Sequence, residues 1–452
     1  MTDATATAAA FRKTFPEIQS VDLLIADLNG VLRGKRTRVE SLARVLGEGL
    51  RMPGSMFSMD TMGRIVEGTG IVAEEGERDR FCLPLVDTLS AVPWSGEEAV
   101  DRGHVLLTMR EPDGSPFFGD PRNALVRVLD RFRGQGLRPV VAAELEFYLV
   151  DADNLHSPSV DVPGGPVPQV YLHDRLEQVS GFVEDVRAAC HAQGIPTDTA
   201  VAESGSGHFE INLTHEGDAL LAADHAVMFK RTIRHLAQRY GCVATFMAKP
   251  FTDSSSSGLH FHVSVLDDAG KNIFSLDNNR ANDKLQQALS GLCATMGEGM
   301  AIFAPNANSY RRYRPGAFVP YYASWGINNR TTALRVPPAS PDSARVEHRV
   351  AGADANIYAT LACILAGIHH GLGGKAPPVS ETKGDVNAHP AGSAPLPLTW
   401  VEALGAFDRA EILPDYLGRP FCELFSRVKR EERLRFVAEV TPRERDLLLT
   451  VV

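Results

Sequence analysis

The sequence predicts a mixed helix-and-sheet fold, α+β or α/β, built around one large sheet. Two observations carry this. Runs of period-two alternation such as VVAAELEFYLV, HFEINL and LHFHVSVL are interleaved with runs of helical spacing such as GFVEDVRAACHAQG and HAVMFKRTIRHLAQRYG. The chain is also long, 452 residues at 49.0 kDa, which is room for two or three domains or one large domain with a smaller partner.

In chain order, VDLLIADLNGVLRGK from Val21 predicts two short strands joined at Asn29-Gly30, a strong hairpin signal. SLARVLGEGL predicts a helix stopped by glycine. Asp120-Pro121 opens a second unit: PRNALVRVLDRFRGQG has helical apolar spacing, proline in its first turn, and Gly134 and Gly136 as the stop. This places a domain boundary near residue 115. The alternating strands and helices then follow, interrupted by a Pro/Gly loop at Ser157–Gln169 and a serine run at Ser254–Ser257, expected to be a mobile loop. APLPLTW leads into a final helical region ending RERDLLLTVV.

With 44% hydrophobic and 23% charged residues, the chain is neither disordered nor a membrane protein in composition. The net charge of −10 has the wrong sign for coating nucleic acid. The longest mostly apolar stretch, Ala359–Ile368, is too short to span a bilayer, so no membrane partner is expected. MTDATATAAA lacks the basic and apolar regions of a secretory signal. The six cysteines show no paired or metal-knuckle spacing and fit reduced thiols in the cytoplasm.

The chemistry is written in four segments. Glu144 and Glu146 in AELEF share one face of a strand, and so do His260, His262 and Ser264 in LHFHVSV. Arg345, Glu347 and Arg349 in ARVEHRV repeat the spacing, while Glu203 and Glu210 flank a Gly-Ser turn in AESGSGHFE. Each segment alone reads as an ordinary polar face, a buried hydrogen-bonded histidine or a solvated charged edge. Five glutamates and a histidine converge only if cations neutralise them, and oxygen-rich ligation with one imidazole suits two Mg²⁺ or Mn²⁺ ions better than zinc. Arg312, Arg330, Arg335, Arg345 and Arg349 add planar forks for phosphates and carboxylates, which points to phosphoryl transfer. No Gly-rich phosphate loop of the GxxxxGK[ST] type and no kinase signature set is present.

The order and spacing of AELEF, AESGSGHFEINL, FMAKPFTDSSSSGLHFHVS, NSYRRYRPG, NNRTTALRVP and ARVEHR resemble the glutamine synthetase superfamily, type I, from about residue 15 to the end. The resemblance implies an α+β protein. Residues 15–114 would form a small N-terminal β-grasp domain and residues 115–452 a large catalytic domain with a curved antiparallel sheet and flanking helices. Glu146, Glu203 and Glu210 would hold the metal nearer the substrate, and Glu144, His260 and Glu347 the metal on the nucleotide phosphates. His262, Ser264, Arg335 and Arg345 would contact ATP, and Arg330 the transferring phosphoryl group. Arg312 and Arg349 would hold glutamate. The implied assembly is a homo-oligomeric ring, a hexamer or stacked dodecamer, with active sites between subunits. The implied reaction phosphorylates the γ-carboxylate of glutamate and lets an amine displace phosphate.

Four departures refine this expectation. Where ammonia-using members carry FDGSS, this chain has SMFSMDTMG, keeping Asp60 as the candidate catalytic acid. Where their flap carries a glutamate, RPGAFVP has Phe318, an apolar ring that cannot take a proton from ammonium. Ser255-Ser256 replaces an Asn-Gly or Gly beside glutamate, and His208 replaces a glutamine. With MDxxG, VEGTG and DLNGVLRGK, the pattern is similar to the γ-glutamylpolyamine synthetase branch. The substrates implied are glutamate, ATP and a polyamine such as putrescine. A ligase for ethanolamine or aromatic monoamines, a true glutamine synthetase, and a non-catalytic structural relative are the alternatives.

Overall fold

The computed structural model describes residues 3–96, 99–155, 170–278, 280–314, 317–390 and 392–452. The loop expected at Ser157–Gln169 lies outside them, as do Pro315 and Gly316 of the flap segment.

The chain opens with α1 (Ala4–Thr14), whose first N–H groups are capped by Asp3. It then lays down β1 (Ser20–Ala26), β2 (Leu32–Arg38), α2 (Leu42–Glu48), β3 (Leu50–Pro53), β4 (Asp79–Pro84), β5 (Ser90–Ala91) and β6 (Arg102–Arg110). These strands form a six-stranded sheet ordered β2-β1-β6-β4-β3, with β5 also on β6. The hairpin forms where Asn29-Gly30 predicts it: β1 and β2 pair antiparallel around a turn in which Gly30 takes φ +74°. β1 is buried along almost its whole length and runs parallel to β6, whereas edge strand β2 (LRGKRTR) is largely exposed and charged.

After α3 (Pro121–Arg133), capped by Asp120 with proline in its first turn, the chain enters the second sheet through β7 (Arg138–Asp151). It continues through α4 (His173–Gln178), α5 (Ser180–Ala192), β8 (Thr197–Ala202), β9 (His208–Leu213), α6 (Ala219–Arg239), β10 (Cys242–Thr245) and β11 (Leu259–Leu266). A small ribbon, β12 (Leu276–Asp277) and β13 (Arg280–Ala281), precedes α7 (Asp283–Phe303). Then come β14 (Tyr322–Ala323), β15 (Trp325–Ile327), β16 (Leu334–Val336), β17 (Val346–His348) and α8 (Ile357–Leu372). The eight-stranded sheet is ordered β15-β16-β17-β11-β7-β9-β8, with β10 also on β7. Its pairings are antiparallel except β15 with β16, which run parallel and so depart from the all-antiparallel expectation. The chain closes with β18 (Ala394–Pro395) and α9 (Trp400–Asp408), α10 (Ile412–Leu417), α11 (Arg419–Val437) and α12 (Pro442–Leu448).

The apolar stretch 359–368 forms most of α8, which is buried nearly all round and packs on α7. The seam is too close for side chains. A Cβ at Gly291 would lie 2.2 Å from the Gly367 carbonyl oxygen, and one at Gly371 would lie 2.0 Å from that of Gln287. No helix among the described residues is long and apolar enough to cross a membrane. The first sheet is tied to the rest by buried polar contacts: Asn356 donates to the Asp27 carbonyl at 2.9 Å and Arg231 to Asp22 at 2.9 Å.

Candidate active site

The site is a consequence of strand register. Glu144 on β7 lies opposite His260 on β11 and Asn212 on β9, and Glu146 lies opposite Glu210. One row over, His262 lies opposite Glu347 on β17, which lies opposite Arg335 on β16. Because side chains alternate along a strand, all of these project from one face. Leu145, Phe147, Phe209, Ile211, Leu259, Phe261 and Val263 alternate with them and are buried in the core. Arg345-Glu347-Arg349, which alone reads as a solvated edge, is instead an interior strand: Glu347 is 1% exposed because β11 and β16 cover both its sides.

The polar face floors a cavity of about 1170 Å³. Glu144 accepts from His262 Nε2 at 2.7 Å and from His260 Nδ1 at 3.3 Å. His262 Nδ1 in turn accepts from Arg345 Nε at 3.1 Å, which fixes the proton of that ring on Nε2. Glu146 accepts the backbone N–H of Gly258 at 2.8 Å and has His208 Nε2 at 3.4 Å. Glu347 accepts from Arg335 at 2.7 Å and from Arg349.

Burial raises the pKa of every one of these carboxyls, and their neighbours decide the outcome. For Glu144 the hydrogen bonds from His260 and His262 outweigh burial and hold it well below the usual range. Against the same burial, His208 brings Glu146 down to about 2, and Arg349 with His260 does so for Glu347. At Glu203 burial outweighs the charges of His208, His260 and Arg330, and Glu210 also stays high. Burial and then the Glu146 carboxylate raise Glu203, while burial followed by Glu144, Glu146, Glu203 and Glu347 pushes Glu210 far up. Negative charge is therefore in excess on this face, and a cation would relieve it.

Two sets of ligand atoms meet the spacing a metal ion needs, each within 4.8 Å: Glu144, His260 and Glu347, and Glu146, Glu210 and His260. The first is the expected trio. In the second, His260 stands where Glu203 was expected; Glu203 lines the cavity outside that close group. The donors are mainly carboxylate oxygens, the chemistry of Mg²⁺ or Mn²⁺ sites.

Arg312, Arg330, Arg335 and Arg349 line the cavity. Arg312, Arg335 and Arg349 each keep a buried Nε with no partner, donor capacity suited to an anionic ligand. Arg312 is otherwise held by the Val350 carbonyl at 2.9 Å. His262, Ser264 and Arg345 sit further along the sheet, outside the cavity lining. Phe318 is at the cavity, 75% exposed, flanked by Ala317 and Val319. Asp60 does not line it. That carboxylate accepts the N–H of Arg64 and a bond from Arg435, both at 2.8 Å.

The serine run is part of the wall rather than a free loop. Ser254, Ser255 and Ser256 line the cavity, the Ser255 carbonyl accepts from Tyr148 at 2.8 Å, and Ser257 is buried with its N–H on Ala248. His208 stacks on Tyr148 with ring centroids 4.2 Å apart. Sequence reasoning missed Asn212, Tyr148 and Lys249. The first two continue the period-two face of Glu210 and of Glu144-Glu146, so the signal was present. Lys249, pushed down to about 8 by burial and then by Arg314, carries no spacing signal.

Known proteins agree with this architecture. Residues 118–448 match the family model for the glutamine synthetase catalytic domain. The chain belongs to the glutamine synthetase family. It is 41% identical to gamma-glutamylputrescine synthetase PuuA of Escherichia coli (strain K12), over 97% of this chain and 93% of that one. It is 31% identical to a glutamate–isopropylamine ligase of a Pseudomonas species, over 91% of each. A solved GmaS/ADP complex superposes with a TM-score of 0.86 at 28% identity, covering 99% of this chain and all of the other.

Proposed function

We propose that this chain is an ATP-dependent ligase that joins the γ-carboxylate of glutamate to an alkyl diamine or polyamine, putrescine first among them. The γ-phosphoryl group of ATP passes to a γ-carboxylate oxygen of glutamate and ADP leaves. The amine nitrogen then attacks the acyl carbon, phosphate departs and the nitrogen loses a proton. Arg312 and Arg349 hold glutamate, Arg330 meets the transferring phosphoryl group, and Arg335, Arg345, His262 and Ser264 hold the nucleotide. Two Mg²⁺ or Mn²⁺ ions, held by Glu144, His260 and Glu347 and by Glu146, Glu203 and Glu210, would supply charge neutralisation on the phosphates. The work of this chain's residues is positioning and electrostatics, with no protein nucleophile. The enzyme would act in the cytoplasm as a homo-oligomeric ring, hexamer or stacked dodecamer. Its N-terminal domain, residues 15–114, would present Asp60 to the catalytic domain, residues 115–452, of a neighbouring subunit.

The observation that carries the amine assignment is the apolar mouth. Val170, Tyr171, Val201, Phe318 and Val319 line the same cavity as the acids and arginines. That surface suits methylene groups, each worth up to about 0.8 kcal/mol when buried, and Phe318 offers no proton acceptor for ammonium. The relative at 41% identity supports a diamine. The test is ADP release with glutamate and a panel of putrescine, cadaverine, spermidine, isopropylamine, ethanolamine and ammonium. Putrescine should be fastest and ammonium poorest, and Phe318→Glu should narrow the gap. Ammonium matching the best diamine would overturn the assignment; activity with monoamines alone would move it to that class.

A further inference from the structure

A second cavity, of about 200 Å³, lies between the β1–β2 hairpin and helices α6 and α8. Its lining is strongly one-sided in charge. Lys230, Arg231, Arg234 and His235 reach it from one face of α6, at the i, i+1, i+4 and i+5 spacing that clusters side chains. Gly30, Val31 and Asn356 form the opposing wall, and no carboxylate is among the lining residues.

Ordinary ion pairing accounts for little of this charge. Arg231 bonds to Asp22 at 2.9 Å yet keeps its Nε buried without a partner. Lys230 donates to the Ala353 carbonyl at 2.7 Å and lies 4.9 Å from the centre of the Phe246 ring. The Arg234 guanidinium sits over that ring at 5.2 Å. Neither Lys230 nor Arg234 forms an ion pair among the described residues. Burial, and then the nearby Arg234 charge, pushes Lys230 down to about 7 despite Asp354. Concentrating like charges around one recess is costly unless a ligand compensates them.

We propose that this cavity binds a small oxyanion carrying more than one acceptor oxygen, a phosphate group or a compact dicarboxylate, held by Lys230, Arg231 and Arg234. The site is built from residues other than those of the acid-lined cavity, so its occupancy stands independently of the ligase reading.

The experiment titrates inorganic phosphate and, separately, malonate into the full chain by calorimetry. Three proteins are compared: wild type, Lys230→Met/Arg234→Gln, and Arg335→Gln. Wild type should show binding at millimolar concentration that Arg335→Gln retains. The double variant should lose that component or weaken it by about tenfold or more, as expected for two missing charge-assisted bonds. Arg234→Gln alone, at an exposed guanidinium, serves if the double variant does not fold. Phosphate-only binding points to a phosphate ligand and malonate-only binding to a dicarboxylate, and both support the site. Identical isotherms for wild type and the Lys230/Arg234 variants, or no heat with either anion, overturn it.

Discussion

On β6 of the N-terminal sheet, His104 has no exposed surface, and its Nε2 lies 2.8 Å from the Ser90 hydroxyl with Nδ1 unpartnered. On β11 of the second sheet, His260 and His262 are also buried, but both face Glu144, and His260 stands between two sets of carboxylates. The first histidine avoids charge: burial, and then the Arg231 charge, pushes it down to about 3. The second pair faces carboxylates, because the register brings acids from three strands onto the same face. A single buried polar group is a cost that the fold tolerates. Convergent buried charges that only an external cation can balance are a binding site.

The contrast breaks most visibly if the second sheet is disarmed. His260→Ala and Glu144→Ala should each abolish glutamate-dependent ADP release, a loss of about a hundredfold or more on removing a ligand to a catalytic metal. Thermal stability should fall for Glu144→Ala at neutral pH, since His260 and His262 hold that carboxylate in its ionised form and both lose their acceptor when it is removed. Near wild-type turnover in either variant would mean the convergence is structural, as at His104.

Much of this site was legible because strand periodicity is short range: Glu144-Glu146 and His260-His262 announce their common face within a few residues. What periodicity cannot give is which strands become neighbours. Glu347 looked like a solvated edge because nothing local records that β16 would cover it. The close approach of His260 to Glu210, and the greater distance of Glu203, depend on strand geometry beyond sequence spacing. The Ser254–Ser257 wall was misjudged for the same reason, its partners Tyr148 and Ala248 lying on other segments.

A smaller effect sharpens the comparison at the level of assembly. Asp60→Ala and Glu210→Ala chains should each be inactive alone. Mixed and reassembled in equal amounts, they should recover about a quarter of wild-type activity, the share of interfaces carrying neither lesion when each site takes Asp60 from one subunit and Glu210 from the next. No recovery in verified mixed rings would confine the site to one chain.

The smallest effect lies in the N-terminal sheet and is read in stability. His104 is neutral when folded down to about pH 3, while the unfolded chain takes up its proton near pH 6.5. Between those values the unfolded state binds more protons, so stability falls as pH falls through that window and is unaffected by this residue above it. The slope for one such group is about 1.4 kcal/mol per pH unit once the unfolded form is fully protonated. His104→Gln keeps a hydrogen-bonding group for Ser90 but cannot take up the proton, so its denaturant-derived stability should show a shallower decline from pH 6 to pH 4.5 than wild type, even if it is less stable at pH 7. Parallel pH profiles would mean that His104 is charged in the folded protein, and the distinction drawn between the two sheets would fail at its simplest point.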